Sequence, residues 1–305
     1  MHDSSPSNRS SDIQEALSIK RPFETHQEGT AARVLMITEI VPQTGWQSLN
    51  FRELWRFREL CYFLVWRDVK VRYKQTVLGA AWAVLQPALM MAVFTIFLGI
   101  MARVPSANDP VFVYAGMLPW TFFATAMANA ANSLVNSERV ITKVYFPRLA
   151  VPLAAVGAAM VDFLIASGLL VIMMAWRGIV PTLEVLVLPF IFLFLVLTAA
   201  GIGIFLSALT VAYRDFRYIV PFLVQFWLFA TPTVYSAVPP DASPWIRALI
   251  TANPVSGLIA SFRAAAFGDA IPWTLLGSAA VLAVVIFLGG CLYFRRVEDS
   301  FADIV

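Results

Sequence analysis

Arg67, Lys70, Arg72 and Lys74 form the densest run of positive charge in the chain and lie immediately before a long apolar stretch. Basic groups at such a boundary each contribute about 1 kcal/mol of attraction to an anionic surface, so the run suits lipid headgroups or a lipid-linked diphosphate. Its other reading is topological: positive charge held in the cytoplasm orients the span that follows. A second charged segment, residues 136–146, places Asn136, Arg139 and Lys143 on one helical face and Val140, Ile141, Val144 and Tyr145 on another, with Pro147 as the breaker. That pattern fits a short amphipathic helix seated in a partner's groove, or a solvated positive loop.

Asp162 sits midway along an apolar run, where a carboxylate costs about 2.5–3.5 kcal/mol on insertion scales, so it must face protein or water. Neither His, Lys nor Arg lies within an apolar stretch to relay its proton. A hydrogen-bonding role with Gln86, Gln225 or Asn129 therefore competes with a transport role. The aromatic residues Trp82, Trp120, Phe222, Phe226, Trp227 and Tyr235 could stack on the apolar faces of sugar rings as channel-lining groups, or serve as packing and interfacial belt. Both histidines, His2 and His26, fall in a polar N-terminal stretch, so no metal site and no catalytic group is expected within the membrane. Cys61 and Cys291 are far apart and both placed near the cytoplasmic side, which argues against a disulfide.

The elements that must position these groups are set by hydrophobicity. With 59% hydrophobic and 13% charged residues in 305, the chain is too apolar for a water-soluble domain. Its net charge of +3 gathers beside apolar runs rather than on a soluble face, which points to membrane topology and away from nucleic acid. The expected fold class is an all-α integral membrane protein with three parts. Residues 1–45 form a largely disordered cytoplasmic tail with a short strand-like run at Val34–Val41. Residues 46–76 form an amphipathic interface segment, with a capping-box-like start at Asn50 and Glu53, and residues 77–305 form a six-span domain.

Six stretches are each long enough to cross a hydrocarbon core of roughly 30 Å at about 1.5 Å per residue. They run near Val77–Met101, Val111–Val135, Leu149–Trp176, Val185–Ala212, Tyr218–Ser236 and Ile271–Phe294, the fifth being interrupted by Pro221 and Pro232. Fourteen Lys and Arg residues flank one side of these spans against four, Arg103, Arg177, Arg247 and Arg263, on the other, which puts both termini in the cytoplasm of a multi-pass inner-membrane protein. Between the fifth and sixth spans, Asn253 as N-cap, Pro254 at the first helical position and Gly268 as the stop spell a short interfacial or re-entrant helix. In the fourth span Ala199, Gly203 and Ser207 make a small-residue face for close helix approach.

The block from Arg67 to Gly99 resembles the start of the membrane domain in permease subunits of type-2 ABC transporters that export lipid-linked polysaccharides such as O-antigen and teichoic acid. The likeness continues through Tyr114–Trp120, Lys143–Val156, Tyr213–Tyr235 and Asn253–Arg263, in order, from about Trp46 to the end. The resemblance implies a homodimer paired with a separate ABC ATPase that binds ATP and Mg. Its implied substrate is a polyprenyl-diphosphate-linked glycan. It also implies a coupling helix at residues 136–146, which makes Glu138, Arg139 and Lys143 the expected ATPase contacts. The 305 residues hold no G-x-x-x-x-G-K-[ST] phosphate loop, so this chain is expected to be a transporter subunit rather than an enzyme. Two rival classes remain. An ATP-independent secondary transporter should show inverted repeats and midplane ionisable groups, and a membrane-embedded glycan-processing enzyme should show clustered acids or histidines. The sequence offers a single intramembrane acid and no such cluster.

Overall fold

A computed structural model describes residues 55–74, 76, 78–138, 146–233 and 243–298, all within the compact unit Gly45–Val305. The expectations for the N-terminal tail, the Val34–Val41 strand and the Asn50 cap fall outside the described residues. Within them the chain is helical, and five helices are long and apolar enough to cross a membrane.

The first helix, α1 (Arg58–Lys74), carries Glu59 in its first turn and Arg72 and Lys74 in its last, which suits the helix dipole at both ends. Leu64 is buried and Val65 lies against the position of Gly157, so one face of α1 rests on a later span. The other face exposes Tyr62, Phe63, Trp66 and Val71. Aromatics beside lysines on an exposed helical face match the headgroup region of a bilayer, where apolar rings and charged tips are both accommodated. Between α1 and the next helix lies a turn at Gly79, whose φ of 51° is open to glycine at little cost.

The helix α2 (Ala81–Phe94) continues as π-helical turns over Thr95–Met101 and is tolerant of Pro87 in its interior. Asp109 caps α3 (Pro110–Asn136) by accepting from the Val111 amide at 3.0 Å, with Pro110 at the first helical position. Against it pack α4 (Ala150–Trp176) and α5 (Leu188–Ala212, entered by a 3-10 turn at Leu183–Val187), and α9 (Trp273–Glu298) packs in turn on α5. The apolar stretch of α3 is 72% buried, against about a third for α4 and α5 and 11% for the α2 span. The core is thus organised on α3, and α2 is peripheral.

The first four expected spans and the last are present with ends shifted by a few residues. Of the expected fifth, the described residues hold a shorter apolar helix, α6 (Phe216–Phe229), whose 14 residues reach about 21 Å at helical rise against a core of roughly 30 Å. Its ladder fails because Pro232, three residues past the last helical position, has no N–H to give. Two further short helices follow, α7 (Pro244–Ala252) and α8 (Pro254–Phe267). The expected punctuation of α8 is present: Asn253 Oδ1 accepts from the Val255 amide at 3.1 Å and Gly268 closes the helix at φ 77°.

Candidate functional site

The four basic residues of α1 do not act as one patch. Lys70 and Lys74 are exposed, whereas Arg67 is bound to its neighbour Asp68 at 2.8 Å and Arg72 reaches back to α4. Arg72 falls two turns after Val65, on the face that packs against α4, and its guanidinium pairs with the carboxylate of Asp162. The adjoining Tyr73 hydroxyl donates to the other oxygen of the same carboxylate. Burial, and then this carboxylate, hold the Tyr73 phenol well above its usual pKa, so it stays a protonated donor.

Asp162 therefore has a cationic partner, which corrects the expectation that Gln86, Gln225 or Asn129 would satisfy it. The partner lies 90 residues away on a helix that the charge pattern assigned to the interface alone. Gln86 is nearby all the same: with Pro87, Thr121, Phe122 and Thr125 it lines a cavity of about 50 Å³ that Asp162 also borders. Polar groups in a space of that size can hold water. The pair is semi-exposed, with 31% of the Arg72 side chain and 20% of the Asp162 side chain accessible.

The aromatic candidates separate into two groups. Trp120 is 3% exposed and lies 5.7 Å from Phe123, and Trp227 meets the same ring edge-on at 5.2 Å, so both are packing residues within this chain. Phe222 and Phe226 are about two-thirds exposed and stacked at 6.3 Å. With Tyr218 and Phe229 they form one stripe along α6, since positions four and seven or eight apart share a helical face. Trp82 is half-exposed at the start of α2, and Tyr235 falls outside the described residues.

Glu138 is exposed just past the end of α3, while Arg139 and Lys143 fall outside the described residues. The return from this loop is anchored: Phe146 and Leu149 are buried, the Arg148 amide donates to Glu298 Oε1 at 3.3 Å, and Arg148 Nη1 donates to the Glu298 carbonyl at 2.8 Å. The loop exit and the C-terminal end of α9 are thereby tied together.

Sequence reasoning missed the arrangement at the broken end of α6. Asn253 Nδ2 donates to Thr231 Oγ1 at 2.9 Å, and Arg263 Nη2 donates to the Pro232 carbonyl at 2.8 Å. Arg263 is 4% exposed, and its guanidinium lies 4.3 Å from the Phe112 ring centre. Gly116 makes the approach possible, because a Cβ there would fall 2.0 Å from the Thr233 carbonyl oxygen. Lipid cannot hydrogen-bond freed carbonyls, so a helix broken within a membrane protein needs such donors from the protein. The available signal was Asn253-Pro254 at a helix start with Arg263 on the same helix, three turns on, but counting Arg263 among loop charges hid it.

A bundle of apolar helices organised on α3, five of them long enough to cross a membrane, with the basic helix α1 docked on α4, defines a multi-pass membrane protein. Residues 59–267 match the ABC-2 type transporter family, and the chain belongs to it. The chain is 30% identical over 253 residues to the O-antigen export system permease protein RfbA of Myxococcus xanthus, covering 81% of this chain and 96% of that protein. It is 28% identical over 241 residues to the protein of the same description from Klebsiella pneumoniae, covering 78% and 92%.

Proposed function

We propose that this chain is the membrane permease subunit of an ATP-driven exporter that moves a lipid-linked polysaccharide across the bacterial inner membrane. The observation that carries the reading is the alignment with the Myxococcus xanthus permease, which runs through nearly all of that protein. In this reading two copies of the chain form the channel, two copies of an ABC ATPase bind ATP and Mg, and both termini of each permease lie in the cytoplasm. The exposed aromatic stripe of α6 and the thinly buried α2 suit a second copy and a sugar chain, since aromatic faces stack on pyranose rings without strong trapping bonds. The α1 face bearing Lys70 and Lys74 draws the polyprenyl diphosphate to the inner leaflet, worth about 2 kcal/mol for the two together.

The test is deletion of the gene with complementation by the full chain. Loss should strip the surface of the glycan and leave its lipid-linked form at the cytoplasmic leaflet. Replacing the phosphate-loop lysine of the ATPase with alanine should give the same phenotype. Undiminished surface glycan in the deletion strain would end the reading.

Coupling is assigned to the loop after α3. Reversing both charges, Arg139→Glu with Lys143→Glu, should lower export about tenfold or more while the chain still inserts and the ATPase still hydrolyses ATP, because a lost docking contact removes work transfer rather than chemistry. Export at the parental level in the double variant would reduce the loop to a topological anchor.

A further inference from the structure

We infer that Asp162 is an internal stand-in for a phosphate group, holding α1 against α4 until a diphosphate takes its place on Arg72 and Tyr73. This rests on the proposed capture of a lipid-linked diphosphate by α1 and names how that site is regulated. A guanidinium fork next to a phenol hydroxyl is a donor set for a phosphate as much as for a carboxylate, and here one carboxylate occupies both donors. The arrangement is reachable from outside, since Arg72 keeps 31% of its side-chain exposure. On the helical wheel Tyr73 lies between Arg72 and the exposed Lys70 and Lys74, so an anion gathered by the lysines meets Tyr73 first and Arg72 next.

Two further features fit exchange better than a permanent strut. Beyond Lys74 the chain passes through the positive-φ turn at Gly79, which lets the last turn of α1 swing without breaking a helix. Asp162, once released, faces the cavity bordered by Gln86, Thr121 and Thr125, where water and amide or hydroxyl groups can receive the carboxylate. A purely structural pair would leave its acid stranded on separation. Asp162 is thus a positioning residue acting through Arg72, and the consequence of exchange is movement of α1 off α4.

Cys61 provides the readout. It lies on the packed side of α1, is half-buried, and burial raises its thiol pKa; the other cysteine, Cys291, is fully buried in α9. In the purified full chain, the rate of Cys61 maleimide labelling should rise several-fold in Asp162→Asn. It should rise likewise in the parent chain with inorganic pyrophosphate, but neither with sulfate nor in phosphatidylglycerol vesicles. Arg72→Gln should label fast without pyrophosphate and gain nothing from it, and Tyr73→Phe, which removes one donor to either anion, should raise the basal rate less than Asp162→Asn does. A labelling rate indifferent to pyrophosphate in the parent chain overturns the exchange. A response to phosphatidylglycerol equal to that to pyrophosphate overturns the diphosphate assignment. Because this assay needs neither export nor ATPase, its failure is separable from failure of the export reading: surface glycan lost on deletion with Cys61 unresponsive would leave an exporter whose α1 is a fixed strut.

Discussion

Gly290→Ala should abolish accumulation of folded protein, while Gly289→Ala, one position away, should be nearly neutral. A Cβ on Gly290 would stand 2.2 Å from the Gly201 carbonyl oxygen, and one on Gly201 would stand 2.6 Å from Phe287 Cα. These are backbone atoms of α5 and α9, and neither helix can yield by turning a side chain. Overpacking in cores usually costs about 1–3 kcal/mol, and the larger figure is a lower bound where backbone meets backbone. Between apolar helices in lipid there is little hydrophobic drive to restore contact, so separating them forfeits the dispersion that holds the pair. Gly289 has nothing within 4 Å of its missing Cβ, and substitution there belongs with surface changes of about ±0.5 kcal/mol. Membrane-fraction yield and the thermal midpoint in detergent would read both variants. Equal behaviour of the two would mean that the α5–α9 register is wrong.

That contact also shows where reasoning from sequence stops. The pattern of Ala199, Gly203 and Ser207 is visible in a single helix, and its face is indeed enclosed: a Cβ on Gly203 would meet Ala130 Cβ on α3 at 2.6 Å. Gly201, only two positions away, points to a different helix, and nothing local says that its partner is Gly290 rather than Gly289. Spans were legible because length and hydrophobicity are local properties that the bilayer reads directly. The α8 caps at Asn253, Pro254 and Gly268 were legible for the same reason, since capping chemistry depends on neighbours in sequence.

Groups whose partners lie on other elements were not legible. Asp162 demanded a partner on energetic grounds, but its choice among distant helices depends on how α1 docks, which hydropathy does not encode. The aromatic candidates divide similarly. Trp120 and Phe222 are equally aromatic in the sequence, yet one is enclosed against Phe123 and the other stands exposed on α6. The fifth span was flagged by its prolines as irregular. Its length of 14 residues was not legible, because past Phe229 the chain leaves the helix for a segment whose Thr231 hydroxyl and Pro232 carbonyl take donors from the distant Asn253 and Arg263.

Arg263→Gln should therefore weaken the protein far more than Arg177→Gln, although both arginines counted equally as outer charges. Arg177 pairs with Asp109 at 3.0 Å with about half of each side chain in solvent, a setting where an ion pair contributes about 0–1 kcal/mol. Arg263 is enclosed, donates to the Pro232 carbonyl and lies over Phe112. A hydrogen bond from a charged donor is worth about 1.5–3 kcal/mol, and a desolvated cation on an aromatic face about 2 kcal/mol or more. Losing the donor also leaves the Pro232 carbonyl short of a partner at the point where α6 is already broken. At about 1.4 kcal/mol per factor of ten, the change should lower the folded-to-unfolded ratio by about tenfold or more. Arg263→Lys should recover little, because a compact ammonium on a flexible stem lacks the planar fork that spans ring and carbonyl together. Thermal midpoints of the four proteins in detergent, with surface glycan measured in parallel, would separate them. If Arg263→Gln matched Arg177→Gln in both readouts, the Pro232 contact would have no part in holding the interrupted span.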